Sequence, residues 1–260
     1  MVTDLLVVAA ACAVTAALTM SVTAWTARRA GRVSVVDTAW GIGLTLVALV
    51  AALVGTGLDG GNDVRRWVLF ALVAIWGLRL SWHMHVRNSG KGEDPRYAEM
   101  LEGTSPAQRI LKVWVTQGAA LLLVSLPVQV AAVADGAIGW IAFAGIAVWV
   151  VGVLFESVGD AQLACFKADP ANEGQIMDRG LWSWTRHPNY FGDACVWWGI
   201  WLVSVTSWWD LLTLPAPITM TYFLVFATGA KLLERHMSGR PGWAEYAART
   251  SMFVPLPPRR

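Results

Sequence analysis

Seven long apolar stretches constrain this chain more than any other feature: roughly residues 4–26, 36–57, 66–86, 112–133, 137–158, 193–209 and 211–231. Each approaches or exceeds the length of about 20 residues that a helix needs to cross a bilayer. Backbone groups in hydrocarbon must pair internally, which leaves helices or a closed barrel. Runs such as "AALLLVSLPVQVAAV" lack the period-two alternation of barrel strands. Composition agrees, with 56% hydrophobic residues and a mean hydropathy of +0.50, more apolar than an ordinary globular domain. The expectation is an all-α, polytopic membrane protein, a seven-helix bundle forming one domain over residues 1–260. The first stretch is too long, and too poor in a basic start and a cleavage-type end, to read as a removable signal peptide.

Lys and Arg set the expected orientation. Odd-numbered spans place residues 27–35, 87–111, 159–192 and 232–260 on one side, and with Lys112 and Lys231 at the span edges that side holds 17 of the 20 basic residues. Arg65 and Arg66 lie at the opposite edge, and Arg79 falls inside the third span. Basic loops stay cytoplasmic, so the N-terminus is expected outside and the C-terminus in the cytoplasm. The formal net charge of +2 conceals this asymmetry and gives no reason to expect a nucleic-acid partner. Cys12, Cys165 and Cys195 are scattered, with neither the spacing of a metal site nor that of a disulfide framework.

Polar residues gather at the cytoplasmic ends of the spans. In "WGLRLSWHMHVR", Arg79, His83 and Arg87 recur every four residues and share a helical face. In "FESVGDAQLACFK", Glu156, Asp160 and Lys167 fall nearly on one face. Asp37 marks the start of the second span, and Glu234, Arg235 and His236 close the seventh. Cations at span ends can simply snorkel to the headgroups, but carboxylates and Asn189 gain nothing from anionic lipid. Intramembrane ionisable groups are functional candidates by default. A pocket open to the cytosol fits this pattern better than a pore.

"RHPNYFGDACVWWGIWL", residues 186 to 202, sharpens the expectation. Pro188 disfavours helix at His187 and suits a first helical turn, so the sixth span should begin near Asn189. Free N–H groups at such a terminus attract an anion. Arg186 and Lys167 add positive charge, while Asn189, Asp160 and Asp193 can accept hydrogen bonds from hydroxyl or amide groups. A nucleotide-like cofactor carries both kinds of partner.

The segments "GLWSWTRHPNYFGDACVWWG", "FESVGDAQLACFK" and "RLSWHMHVRNSGKGEDPRY" together resemble the steroid 5-alpha-reductase and sterol reductase superfamily, in particular its bacterial branch of largely uncharacterised membrane proteins. The likeness runs from about residue 33 to "YAARTSMFVP". "RHPNYFG" alone is less specific, because isoprenylcysteine carboxyl methyltransferases carry a similar motif over S-adenosylmethionine. The resemblance implies a seven-helix bundle in the bacterial inner membrane that holds NADPH at the cytoplasmic helix ends. It maps Arg79, His83, Arg87, Asp160, Lys167, Arg186, Asn189 and Arg235 onto cofactor contacts, and Asp193 and Trp197 onto the border between nicotinamide and substrate. Asp37 stands where the steroid enzymes use a Glu, and Trp76 where they use a Tyr. An indole cannot serve as a practical proton donor, which argues against a steroid enone.

The leading expectation is therefore an NADPH-dependent reductase of a carbon–carbon double bond in a lipid drawn from the bilayer, with Asp37 and Asp193 as the catalytic carboxylates. The alternative is an S-adenosylmethionine-dependent methyltransferase, which needs less phosphate-binding charge. A metal centre is not expected: "HMH" at residues 83–85 turns its two histidines to different helical faces, and the chain has four histidines in all.

Overall fold

The structure, a computed structural model, describes residues 1–227 and 229–259. Helices come in the order α1 (Val2–Ala30), α2 (Val35–Thr56), α3 (Asp63–Asn88), α4 (Pro95–Leu101), α5 (Pro106–Arg109), α6 (Thr116–Val124), α7 (Leu126–Ala131), α8 (Trp140–Ala168), α9 (Pro188–Ser204), α10 (Pro215–Tyr222), α11 (Ala230–Met237) and α12 (Trp243–Arg249). Among the described residues there is no strand, only an isolated bridge between Thr185 and Ser251. Five segments are long and apolar enough to cross a membrane: Val2–Ala30, Val35–Thr56, Asp63–Asn88, Trp140–Ala168 and Trp208–Met237.

The remaining two expected spans are helical but differ in build. The stretch at 112–133 starts as a π-helical turn over Ile110–Val115 and breaks at Ser125, where the fold resumes as α7 with Pro127 in its first turn. Proline lacks the N–H that would continue the ladder. The stretch at 193–209 becomes the 17-residue α9, which begins at Pro188, one residue from the expected start. It stops before Ser207, whose side chain and that of Asp210 form a capping box for the turn Trp208–Thr213.

The chain packs as two compact units: Met1–Ala142 with Val203–Ala216, and Phe143–Leu202 with the chain from Pro217 onward. In the first, α2 and α3 meet backbone to backbone. A Cβ placed on Gly77 would lie 2.5 Å from the Gly41 carbonyl oxygen. At the far end of α3 two buried arginines reach the C-terminal carbonyls of α7: Arg65 Nη2 donates to Ala131 at 3.3 Å and Arg66 Nε to Ala132 at 2.6 Å. A helix end has no internal partners for these carbonyls, so the guanidinium groups satisfy them.

In the second unit, α8 and α9 run antiparallel at glycine-permitted distance. A Cβ on Gly152 would sit 2.6 Å from the Gly192 carbonyl oxygen, and one on Gly199 would sit 2.6 Å from that of Gly145. Real Cβ atoms do not tolerate such contacts, so glycine sets the approach of the two backbones. The C-terminal segment folds back onto residues 182–186. The Arg186 N–H donates to Ser251 at 2.9 Å, the Leu256 N–H to Trp184 at 3.0 Å and the Tyr246 hydroxyl to Trp182 at 2.6 Å.

Candidate active site

The first unit holds a polar cluster built around Asp37, at the N-terminal turn of α2. "GEDPRY" supplies its partners. Asp94 caps α4 by accepting the Arg96 N–H at 2.9 Å, and Pro95 fits the first turn. The Arg96 guanidinium folds back onto Asp94, at 3.0 and 2.9 Å, and its Nη2 also reaches Asp37 Oδ2 at 3.2 Å. One residue on, the Tyr97 hydroxyl donates to Asp37 Oδ1 at 2.6 Å. Glu93 fastens the segment to the α1–α2 turn, accepting the Ser34 N–H at 3.0 Å as well as that of Val33.

Electrostatics follow from this geometry. Hydrogen bonds from Arg96 hold the Asp94 carboxyl below the usual carboxylate range. Burial, and then the negative charge of Asp37, push the Tyr97 phenol up. Tyr97 thus keeps its proton, which it donates to Asp37.

Arg79, His83 and Arg87 also belong to the first unit, where α3 carries them at i, i+4 and i+8. Arg79 and His83 are half-buried and Arg87 is exposed. Trp76 is fully buried. Tyr97, not among the residues expected from the sequence, meets Asp37.

In the second unit the close packing of α8 and α9 brings two expected residues together: the Asn189 side-chain amide donates to Asp160 Oδ1 at 3.2 Å. Gly159 makes room, since a Cβ there would touch Pro188 and the Asn189 nitrogen at 3.2–3.3 Å. Asp193 and Trp197 follow Asn189 at successive turns of α9, both buried, and Glu156 is buried one turn before Asp160 on α8. These positions form a polar stripe that passes into apolar surroundings.

Arg186, expected as a phosphate contact, has partners within the unit. Its Nε and Nη2 donate to Glu234 at 2.6 and 3.1 Å, and its Nη1 to the Ala247 carbonyl at 2.8 Å. All three nitrogens are therefore engaged within the unit, and Arg186 works as a rivet between α9's leading turn, α11 and α12. His187 stacks on Tyr190 with rings 5.6 Å apart and turns Nε2 toward Glu234 at 3.4 Å. Burial raises the Tyr246 phenol, which donates to the Trp182 carbonyl.

Two of the expected cations, Lys167 and Arg235, are exposed. Lys167 sits in the last turn of α8, and Arg235 lies on α11. Arg235, Lys231, Glu234, Ser238, Trp243 and Met252 border an open depression of about 360 Å³. Among the described residues, no group of three or more His, Cys, Asp or Glu is placed to hold a metal ion.

Tyr97 is the site residue that spacing along the chain does not single out. Its one local signal is the Asp-Pro pair, which starts a short helix and points the next two side chains back toward the α1–α2 turn. The expected cofactor residues divide between the units: Arg79, His83 and Arg87 in the first, and Asp160, Lys167, Arg186, Asn189 and Arg235 in the second.

Comparison with curated proteins and with solved structures finds no match. Residues 24–250 match the family described as "Protein of unknown function (DUF1295)", and the chain belongs to that family.

Proposed function

We propose that this protein is an NADPH-dependent membrane reductase, related to the steroid 5-alpha-reductase superfamily, that saturates a polarised carbon–carbon double bond in a bilayer lipid. The single observation that carries the reading is the Tyr97 hydroxyl held at 2.6 Å by Asp37 beside Arg96. A phenol positioned in this way can swing its one O–H from Asp37 to an entering substrate carbonyl oxygen and draw electron density from a conjugated alkene. Arg96 keeps the Asp37 carboxylate compensated while it orients the phenol.

The donor set of the second unit suits a dinucleotide. Lys231 and Arg235 offer charge for phosphate at the depression they line, and Trp243 offers a flat apolar face; Lys167, in the last turn of α8, is a further candidate. The Asn189–Asp160 pair offers both a donor and acceptors for hydroxyl or amide groups. NADPH, when bound, supplies a hydride. Asp193 is buried on the stripe that continues from Asn189, and by the same resemblance it stands beside the nicotinamide. In this reading Arg186 acts indirectly, by holding the α11 and α12 wall in place.

The same reading takes all seven apolar stretches as spans, with the C-terminus and the polar clusters on the cytosolic side of a bacterial inner membrane. The exposed rings of Trp140, Trp208 and Trp209 suit the opposite headgroup layer. A C-terminal reporter that is active only outside the cytoplasm would overturn the orientation.

A second reading, methyl transfer from S-adenosylmethionine, draws on one observation. Arg186 is paired with Glu234, which lowers the charge available for phosphate. Lipid profiles of cells with and without the gene separate the two. Loss of the gene should leave a lipid with one additional double bond, whereas a lipid lacking one methyl group would favour methyl transfer.

A further inference from the structure

An elongated groove of about 460 Å³ runs between α1 and α2 in the first unit, bordered on one side by Thr15, Thr19, Thr23 and Thr26. A threonine-lined surface would ordinarily be polar, yet this one is not. Each hydroxyl donates to a carbonyl of its own helix: Thr15 to Ala11 at 2.8 Å, Thr19 to Thr15 at 2.8 Å, Thr23 to Thr19 at 2.7 Å and Thr26 to Val22 at 2.9 Å. With the hydroxyls turned inward, the groove is left with methyl groups. The facing wall of α2 carries Val35, Ala39, Ile42 and Leu46, with Thr38 as its polar residue.

Its dimensions and ends name an occupant. Eleven residues of helix separate Thr15 from Thr26, and eleven separate Val35 from Leu46, about 17 Å at 1.5 Å per residue. That is roughly one leaflet of a bilayer whose core is about 30 Å thick. At the mouth, the stripe through Val22 and Thr26 continues at i+3 to Arg29, which is exposed and rests over the Trp25 ring at 4.5 Å. A guanidinium over an indole at the end of a leaflet-long apolar groove matches an anionic headgroup above a single acyl chain. Asp37 lies on the opposite face of α2 from Val35, Ile42 and Leu46, two positions round the helix from the nearest of them. The groove is therefore separate from the Asp37–Tyr97 cluster.

We infer that this groove is a binding site for an anionic diacyl phospholipid, with one acyl chain between α1 and α2 and the phosphate on Arg29. The lipid would hold the first two helices at a fixed spacing beneath the turn that carries Ser34 and Asp37. The site is independent of the proposed reductase activity.

The test uses the full chain in phosphatidylcholine vesicles doped with phosphatidylglycerol whose acyl chain carries a photoreactive diazirine. Labelling should concentrate on peptides spanning Thr15–Thr26 and Val35–Leu46, above that on the exposed face of α8 around Phe143, Val150 and Leu154. Phosphatidylcholine with the same photoreactive chain should label the groove less. Arg29→Gln should reduce phosphatidylglycerol labelling about fivefold, the worth of one interfacial cation. Ile42→Trp should block the groove with an unchanged helical circular dichroism spectrum. Equal labelling by the two lipids, equal labelling of α8, or insensitivity to Arg29→Gln would overturn the inference. So would α1-to-α1 crosslinks between two copies in place of lipid label, which would assign the face to a second copy.

Discussion

Tyr97 donates its hydroxyl proton to Asp37 at 2.6 Å across 60 residues of sequence. The pair joins the N-terminal turn of α2 to a seven-residue helix in the loop after α3, and Arg96 closes the arrangement at 3.2 Å from the same carboxylate. A loop that sequence alone shows as charged and irregular is thereby fixed at the end of a membrane-spanning helix.

Tyr97→Phe should retain the fold, because the ring stays and only the hydroxyl is removed. If the phenol polarises the substrate, turnover should fall about 100-fold or more, the range of a positioned acid. Thermal melting of the purified variant, compared with lipid turnover in membranes, checks this. Equal turnover in variant and wild type would remove Tyr97 from the chemistry.

Acid should loosen the α4 segment in a defined direction. The Asp94 carboxyl is held below its ordinary value by Arg96. Its contribution is complete above the unfolded value of about 3.9 and is lost as pH falls through the lower folded value. Hydrogen exchange of residues 89–101 should accelerate in that window for wild type. Asp94→Asn should raise exchange already at neutral pH and flatten the acid dependence, and an unchanged acid profile would contradict the assignment.

Sequence periodicity makes the helices legible because hydrocarbon forces each apolar run to satisfy its own backbone. Pro188 similarly marks the start of α9 to within one residue. The Asn189–Asp160 contact is half legible: both residues stand out as polar at span ends, but their pairing depends on Gly152, Gly159 and Gly192 letting α8 and α9 touch. Arg186 illustrates the opposite case. Beside a proline-started helix it reads as a phosphate ligand, and only the fold shows Glu234, 48 residues later, within 2.6 Å. Side chains that meet through tertiary structure leave no local spacing to read.

Arg186 and Glu234 should therefore couple in stability. Arg186→Gln and Glu234→Gln should each lower the melting midpoint, and the double variant should lose less than the sum, with a coupling of about 1.5–3 kcal/mol as for hydrogen bonds to charged groups. Arg186→Gln that melts like wild type but loses nucleotide affinity would instead assign Arg186 to phosphate binding.

Close helix packing predicts a sharp contrast between two glycines. Gly152→Ala forces a methyl group against the Gly192 carbonyl, and such overpacking costs about 1–3 kcal/mol. A methyl group on Gly139 would meet nothing within 4 Å, so Gly139→Ala should be neutral. Melting curves of the two variants decide the point, and similar losses would show that α8 and α9 do not meet as described.

The most direct measurement is equilibrium binding of NADPH and of S-adenosylmethionine to the full-length, detergent-purified protein, followed by isothermal titration calorimetry. Saturable NADPH binding is expected, at least about tenfold tighter than S-adenosylmethionine and weakened about tenfold by Arg235→Ala through loss of one charged contact. Tighter binding of S-adenosylmethionine, or NADPH binding indifferent to Arg235→Ala, Lys231→Ala and Lys167→Ala alike, would contradict the reductase reading.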